Sequence, residues 1–171
     1  MPGEIRIGRQ VLTVLHRVLA VAMPQEGCAL LLGERREGGD GAGNRQGDLW
    51  RLLRIWPCCN VWQPARERTR RFAIDPREQL LAQKWARNHD LLVIGTAHSH
   101  PSASPVPSAT DLALAFGPTL MLILGVPAPG DRRVPDEKAA CSGVELGCWW
   151  LPDPSHAGSP EPHQLPWTME D

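Results

Sequence analysis

Residues 91–111, LLVIGTAHSHPSASPVPSATD, hold the pattern that decides the fold. Residues 91–95 are a continuous apolar run of strand length, which predicts a strand that is covered on both faces. A loop rich in serine and proline follows His100, and Ser108 has the position of a helix start. This segment therefore predicts a buried strand, a loop and a helix in direct succession.

The other elements follow from apolar periodicity and from the breaker residues that interrupt it. An amphipathic helix is predicted over residues 11–22, where Pro24 stops it. A second helix begins at Asp75, with a capping side chain followed by Pro76, and runs to about residue 89. The predicted strands cover residues 4–7, 28–32, 49–56, 70–74, 91–95, 119–126 and 144–151. This order predicts an α/β or α+β sandwich built on one central sheet.

The length of 171 residues favours one compact domain, which we assign to residues 1–151. Residues 152–171 carry five prolines from Pro152 to Pro166, so we expect a proline-rich, mostly irregular tail. Residues 33–48 are rich in Gly, Arg and Glu and predict a mobile connection between strands. That connection is either a plain flexible loop or a flap over a substrate.

The charge and hydropathy of the chain exclude several classes of protein. The net charge of -1 and the pI near 6.6 argue against a nucleic-acid partner, which would need a strongly basic surface. No apolar run is long enough for a membrane helix, and the N-terminus lacks the pattern of a secretory signal. We therefore expect a cytoplasmic protein with no membrane partner. The oligomeric state does not follow from these properties.

The five cysteines form no C-x-x-C pair, so neither a zinc-finger spacing nor a full disulfide framework is indicated. We expect reduced thiols that serve as small hydrophobic side chains. A link between Cys141 and Cys148 across a hairpin is the alternative, which a reducing compartment disfavours.

Two histidines and an aspartate are the candidate metal ligands. His98 and His100 are two apart at the end of a strand, so both imidazoles project to one face, and Asp111 follows in the first turn of the next helix. Three N/O ligands are the count of a catalytic zinc, which keeps a fourth position for an activated water. Ser108-x-x-Asp111 is also the pattern of a capping box, and we expect that a zinc-bound Asp111 does not also reach back to the cap.

The motif H-S-H-P-x6-S-x2-D, preceded by Glu26 after the N-terminal helix, resembles that of the JAMM (MPN+) metalloprotease family, small bacterial type. Asn60 and residues 71–76 add to this resemblance, which covers roughly residues 1–126. It implies an MPN-like domain similar to cytidine deaminase, with a central mixed β-sheet flanked by helices.

The resemblance implies a role for each matching residue. His98, His100 and Asp111 would bind Zn²⁺, while Glu26 would move a proton from the zinc-bound water to the leaving amine. Ser108 would donate a hydrogen bond to the oxyanion, which is worth about 3 kcal/mol when such a donor is well placed. The implied substrate is the C-terminal Gly-Gly end of a ubiquitin-like sulfur-carrier protein.

Three alternatives to this function stay open at the level of sequence. One is a deubiquitinase-type isopeptidase that acts on a lysine side chain. Another is a non-catalytic MPN scaffold that only organises partners, although the intact ligand set argues against it. The third is a cysteine nucleophile, Cys28, paired with one of the histidines, which the sequence supports least.

Overall fold

The computed structural model describes residues 2–36, 48–115, 118–126, 143–153 and 161–171. Eight strands form one mixed sheet in the order β7-β6-β5-β4-β2-β3-β1-β8, with three helices packed against it, so the predicted α+β fold is confirmed. No helix in these ranges is long and apolar enough to cross a membrane. In chain order the elements are β1 (Pro2–Gly8), α1 (Arg9–Ala20), β2 (Cys28–Arg36), β3 (Asp48–Cys58), a 3-10 turn (Ala65–Glu67), α2 (Pro76–Arg87), β4 (Leu92–His100), α3 (Ala109–Leu114), β5 (Thr119–Gly125), β6 (Glu145–Leu151), β7 (His163–Gln164) and β8 (Trp167–Glu170).

The two faces of the sheet differ in what packs against them. Ala97 of β4 lies in register with Ala29 of β2 and Leu122 of β5, and this face packs on α1 to form the main core. The next residue, His98, projects to the opposite face because side chains alternate along a strand. On that second face Ile123, the neighbour of His98 on β5, belongs to a smaller cluster into which α3 packs. The histidines therefore lie between the sheet and α3.

The start of α2 has the form that the sequence predicts. The Asp75 carboxylate accepts a hydrogen bond of 2.9 Å from the Arg77 amide, and Pro76 occupies the first helical position, where its missing N–H costs nothing. Ala82 and Ala86 are the buried residues of this helix, which contacts β4 and β2. Small side chains thus allow α2 to lie close to the strand that carries the histidines.

The predicted strand at residues 70–74 is wrong. Only Ile74 has a β-bridge, which it forms with Asn60. The Asn60 side chain accepts from the Ala73 amide at 3.2 Å and donates to the Arg71 carbonyl at 2.9 Å. A side chain therefore supplies the hydrogen bonds that a neighbouring strand would provide, and the segment stays irregular.

The expectation of a mostly irregular tail is wrong for its last residues. Trp167–Glu170 form β8, which pairs in parallel with β1, and His163–Gln164 form β7 against β6. Glu170 accepts two hydrogen bonds from the Arg51 guanidinium, at 2.8 and 3.1 Å. These strands are hard to predict for two reasons. The many prolines indicate irregular structure, and the strands with which they pair lie at distant positions in the sequence.

Two sequence expectations fall on residues outside the described ranges. Gly33–Arg36 of the expected mobile connection continue β2, and residues 37–47 lie outside the described residues. Cys141 is likewise outside them, so its link to Cys148 is not tested. The four described cysteines, Cys28, Cys58, Cys59 and Cys148, form no disulfide with one another, and Cys28 and Cys148 are buried.

Gly95 sits where β4 passes between two neighbours, and an added Cβ there would meet the carbonyl oxygen of Leu120 on β5. We predict that Gly95→Ala lowers the free energy of unfolding by about 2 kcal/mol. The backbone of Leu120 cannot move aside for the added methyl group in the way that a flexible side chain can. Urea denaturation measures this change. Gly8→Ala is the control, since the nearest atom to its new Cβ is Val11 Cγ2 at 3.8 Å. Equal stability of the two variants would contradict the close approach of the β4 and β5 backbones at Gly95.

Candidate active site

The backbone around the histidines is fixed by the residue between them. Ser99 donates its amide to the Gly27 carbonyl at 3.0 Å, and its hydroxyl oxygen accepts from the Gly27 amide at 2.9 Å. This pair of bonds extends the pairing of β2 with β4, in which Cys28 lies opposite His98. A side chain at Gly27 would collide with the backbone of Leu19 in α1. Glycine therefore lets the chain pass between α1 and β4, directly after Glu26.

The three predicted metal ligands converge. The Nε2 atoms of His98 and His100 are 3.0 Å apart, and the Asp111 carboxylate oxygens lie 3.5 Å from His98 Nε2 and 3.6 Å from His100 Nε2. Donor atoms about 2.1 Å from one tetrahedral zinc ion would be about 3.4 Å from each other. The three side chains therefore lie close enough to hold one metal ion together. All three side chains are buried, with exposed fractions of 0% for His98, 8% for His100 and 7% for Asp111.

The two imidazoles are held in different ways. His100 Nδ1 lies 2.8 Å from the Ser104 carbonyl oxygen, which can only accept, so Nδ1 carries a proton and Nε2 is the nitrogen with the lone pair when the ring is neutral. The ring of His98 stacks on Phe72, with centroids 4.3 Å apart and planes at 20°. Buried His98 Nδ1 has no hydrogen-bond partner in the described part of the chain. Ring packing, rather than a hydrogen bond to that nitrogen, thus holds His98.

Asp111 belongs to a complete capping box at the start of α3. One of its oxygens accepts from the Ser108 amide at 2.7 Å, while the Ser108 hydroxyl accepts from the Asp111 amide at 3.2 Å. Asp111 thus faces both imidazoles and also reaches back to the cap, a combination that we did not expect of a zinc-bound carboxylate. A carboxylate has two oxygens, each with more than one lone pair, so one group serves both contacts.

Asp111 and His98 favour the protonation states that bind a metal ion, whereas the pKa of His100 is raised, because hydrogen bonds with Asp111 and Ser104 outweigh its burial. Although burial alone would favour the neutral acid, hydrogen bonds with His100 and His98 hold the pKa of Asp111 well below its usual range. Burial lowers the pKa of His98 and so favours the neutral imidazole. A carboxylate and a neutral imidazole are the forms that coordinate a metal ion.

Glu26 lies close enough to His100 and Asp111 to interact with them electrostatically, and only 4% of it is exposed. Burial raises the pKa of its carboxyl to about 7; positive charge on His100 opposes this rise and the Asp111 carboxylate adds to it. The Glu26 amide donates to the Arg68 carbonyl at 2.7 Å, and the Glu26 carbonyl accepts from Asn60 Nδ2 at 3.1 Å. Both ends of this residue are thus fixed.

Asn60 joins the segments that surround the site. Its Nδ2 group donates to the carbonyls of Glu26 and Arg71, at 3.1 and 2.9 Å. Its Oδ1 accepts from the amides of Trp62 and Ala73, at 3.0 and 3.2 Å. All the usual bonds of a primary amide are therefore made to backbone, which gives this side chain one defined orientation.

The structure brings together Glu26, His98, His100, Ser108 and Asp111, and it adds two groups that the sequence did not single out. These are Ser99 and the Ser104 carbonyl, whereas Phe72 belongs to the 71–76 segment of the family resemblance, for which no contact was predicted. Only Ser99 had a usable signal, because a polar residue between two outward histidines on a buried strand must face the core and needs a partner there. The Ser104 carbonyl has no sequence signal, since any residue has a carbonyl.

Comparison with known proteins agrees with this geometry. The chain is similar to a desampylase from Pyrococcus furiosus, with 33% identity over 76 residues, which are 44% of this chain and 54% of that protein. The chain thus matches about half the length of this relative. A solution structure from Desulfitobacterium hafniense superposes with a TM-score of 0.70 at 24% identity and covers 98% of this chain and 93% of that one. A second solution structure, from Salinibacter ruber, gives a TM-score of 0.52 at 25% identity and covers 95% and 99%.

The family comparison extends over most of the chain. Residues 8–137 match the family described as prokaryotic homologs of the JAB domain. Glu26, His98, His100, Ser108 and Asp111 all lie within this match. The chain therefore belongs to the family of prokaryotic homologs of the JAB domain.

Proposed function

We propose that the protein is a cytoplasmic zinc peptidase that cleaves at the C-terminal Gly-Gly end of a ubiquitin-like sulfur-carrier protein. The observation that carries this proposal is the convergence of two imidazoles and one carboxylate on a single buried position, with Glu26 beside them. Membership of the JAB family and the similarity to a desampylase support the class of reaction. Cleavage of an isopeptide bond by the same residues is the second candidate, which the desampylase similarity favours.

His98, His100 and Asp111 would hold the ion through two nitrogens and one oxygen, a ligand set typical of catalytic zinc. When bound, zinc lowers the pKa of a coordinated water and polarises the carbonyl that is attacked. Ser104 contributes by keeping the proton of His100 on Nδ1. This tautomer leaves Nε2 of the neutral His100 ring for coordination.

Glu26 would carry the proton during the reaction. A pKa of about 7 lets its carboxylate accept a proton from the attacking water and release it to the departing amine near neutral pH. The backbone bonds to Arg68 and Asn60 hold this residue in place, so little reorganisation is needed at each transfer.

Ser108 would stabilise the negative charge that develops on the substrate carbonyl. Its oxygen already accepts from the Asp111 amide, so the hydroxyl proton is the part left to donate. Because the capping box fixes this hydroxyl beside Asp111, the donor is preorganised. The side chain that starts α3 would therefore also act on the substrate.

The ligand assignment predicts the metal content. We expect the purified protein to contain about one zinc per chain and His98→Ala to lose most of it, since the remaining two ligands are too few for a stable tetrahedral site. Inductively coupled plasma mass spectrometry measures the stoichiometry. His163→Ala, in exposed β7, is the control and should keep the metal. A wild-type protein without zinc after reconstitution would favour the scaffold alternative.

The proton-transfer role predicts that Glu26→Gln keeps zinc but loses at least about 100-fold in kcat, because an amide cannot exchange the proton. The assay is incubation with C-terminally extended ubiquitin-like carriers, with and without a chelator, followed by intact-mass measurement. Glu34→Gln is the matched control, since the contacts of Glu34 in the described part of the chain are partly exposed ion pairs with Arg36 and Arg51. Full turnover in Glu26→Gln would exclude this residue as the base.

The hydrogen bonds of Asn60 predict that even a nearly isosteric substitution of this residue slows catalysis without loss of zinc. Asn60→Asp keeps the two acceptor contacts but loses both donor bonds, including the one to the Glu26 carbonyl. We expect kcat to fall about tenfold or more at unchanged zinc content, because the base is no longer held in place. Asn88→Asp, at the exposed end of α2, is the control. If kcat stays unchanged while only the melting temperature falls, Asn60 has a purely structural role.

A further inference from the structure

A basic loop borders the candidate active site, and the proposed mechanism does not use it. Residues 62–72, which we call the arginine loop, carry four arginines (Arg66, Arg68, Arg70 and Arg71) against one glutamate, Glu67. The loop thus has a net charge of +3 in a chain whose net charge is -1. Such a local concentration of positive charge attracts negatively charged groups.

The loop is attached to the site at three points. The Arg68 carbonyl accepts from the Glu26 amide, Asn60 links the Arg71 carbonyl to that of Glu26, and Phe72 stacks on the ring of His98. These contacts involve the proposed base and one proposed metal ligand directly. A substrate bound at the metal position would therefore lie next to the arginine loop.

The loop is also ordered by its own backbone. The amides of Glu67, Arg68 and Arg70 donate to the carbonyls of Pro64, Ala65 and Glu67, at 3.0, 3.2 and 3.0 Å. The segment around Ala65–Glu67 is therefore a turn of 3-10 helix. A preordered loop loses little conformational entropy when a partner binds.

The four arginines have two different environments. Arg68 donates from Nε to the Trp62 carbonyl at 2.8 Å, while Arg71 pairs with Glu67 at 3.1 Å and lies over the Trp62 ring at 5.4 Å. Arg66 and Arg70 are exposed and have no carboxylate within 4.0 Å among the residues that the structure describes. Two arginines thus stabilise the loop, and two are available to a partner.

We propose that the arginine loop selects substrate proteins that carry acidic side chains next to the scissile bond, with Arg66 and Arg70 as the residues that bind them. This inference rests on the proposed peptidase function and names a substrate class for it. Guanidinium groups bind carboxylates through paired hydrogen bonds, which suits this recognition. A short acidic segment fits better than a long polyanion, because the small basic loop belongs to a chain that is slightly negative in total.

The kinetic test compares carriers that differ only in charge. In the first pair of carriers, the residue directly after Gly-Gly is acidic (Glu or Asp) in one member and neutral (Gln or Asn) in the other. In the second pair, the same change is made at the residue directly before Gly-Gly. Since an exposed ion pair contributes little, we expect wild-type protein to prefer the acidic member of at least one pair by about threefold or more in kcat/KM. The preference should fall when salt is raised.

The variant Arg66→Glu/Arg70→Glu should abolish or reverse this preference, measured as the ratio of kcat/KM on the acidic carrier to kcat/KM on the neutral carrier. Arg54→Glu is the matched control, because Arg54 is an exposed arginine of β3 that lies in register with Leu32, four residues along β2 from the position opposite His98. It should retain the preference. Equal cleavage of acidic and neutral carriers by wild type, or an unaltered preference in the double variant, would overturn the proposal.

A binding measurement separates this proposal from the peptidase function. Fluorescence anisotropy with labelled acidic and neutral peptides, on Glu26→Gln protein, reports recognition without turnover. The acidic peptide should bind more tightly than the neutral one, and this difference should be lost when Arg66→Glu/Arg70→Glu is added to the Glu26→Gln protein. That result supports recognition by the arginine loop even if no carrier is cleaved. Equal displacement of this peptide by a single-stranded oligonucleotide of matched charge would overturn it in favour of unspecific polyanion binding. Cleavage of carriers without any charge preference would instead leave the peptidase proposal intact and remove only this one.

Discussion

The register of β2 against β4 is the constraint on which the candidate site depends. It sets Cys28 opposite His98, and the two bonds between Ser99 and Gly27 continue it by one further residue. Glu26 comes directly before Gly27, so this register determines where the proposed base lies relative to the histidines. A slip of one residue would turn every side chain of β2 to the other face and would bury the wrong residues of that strand. The hydrophobic core and the site are therefore specified by the same pairing.

The two carboxylates near the histidines show how position sets the chemistry of an identical group. Asp111 is buried, but the Ser108 amide donates to it and the neighbouring imidazoles favour its ionised form, so its pKa stays low. Glu26 is also buried, and there the cost of removing a charge from water prevails, so its pKa rises to about 7. One group is thus suited to hold a cation permanently and the other to exchange a proton. A pair of acids with opposite shifts is typical of sites that perform acid–base chemistry.

The part of the site that sequence could predict is the part that depends on local periodicity. His98 and His100 follow from the two-residue repeat of a strand, and Ser108 and Asp111 from the rules for helix starts. Glu26 did not follow from such rules, because nothing local distinguishes it from the other glutamates, and only the family resemblance singled it out. The strand β8 and the contacts of Asn60 were missed for a related reason. Both depend on partners that are distant in sequence, as Glu170 is from Arg51 and Asn60 from Glu26.

Asn60 also explains why the arginine loop and the proposed base cannot be considered separately. One amide group donates to the carbonyl of Glu26 and to that of Arg71, and both bonds come from the same nitrogen. A displacement of the loop would move Asn60 or break one of these bonds, and either change would alter the support of Glu26. Phe72 adds a second connection, because the same loop ends on the ring of His98. The loop that we propose to recognise the substrate is therefore part of the structure that positions the residues proposed to cleave it.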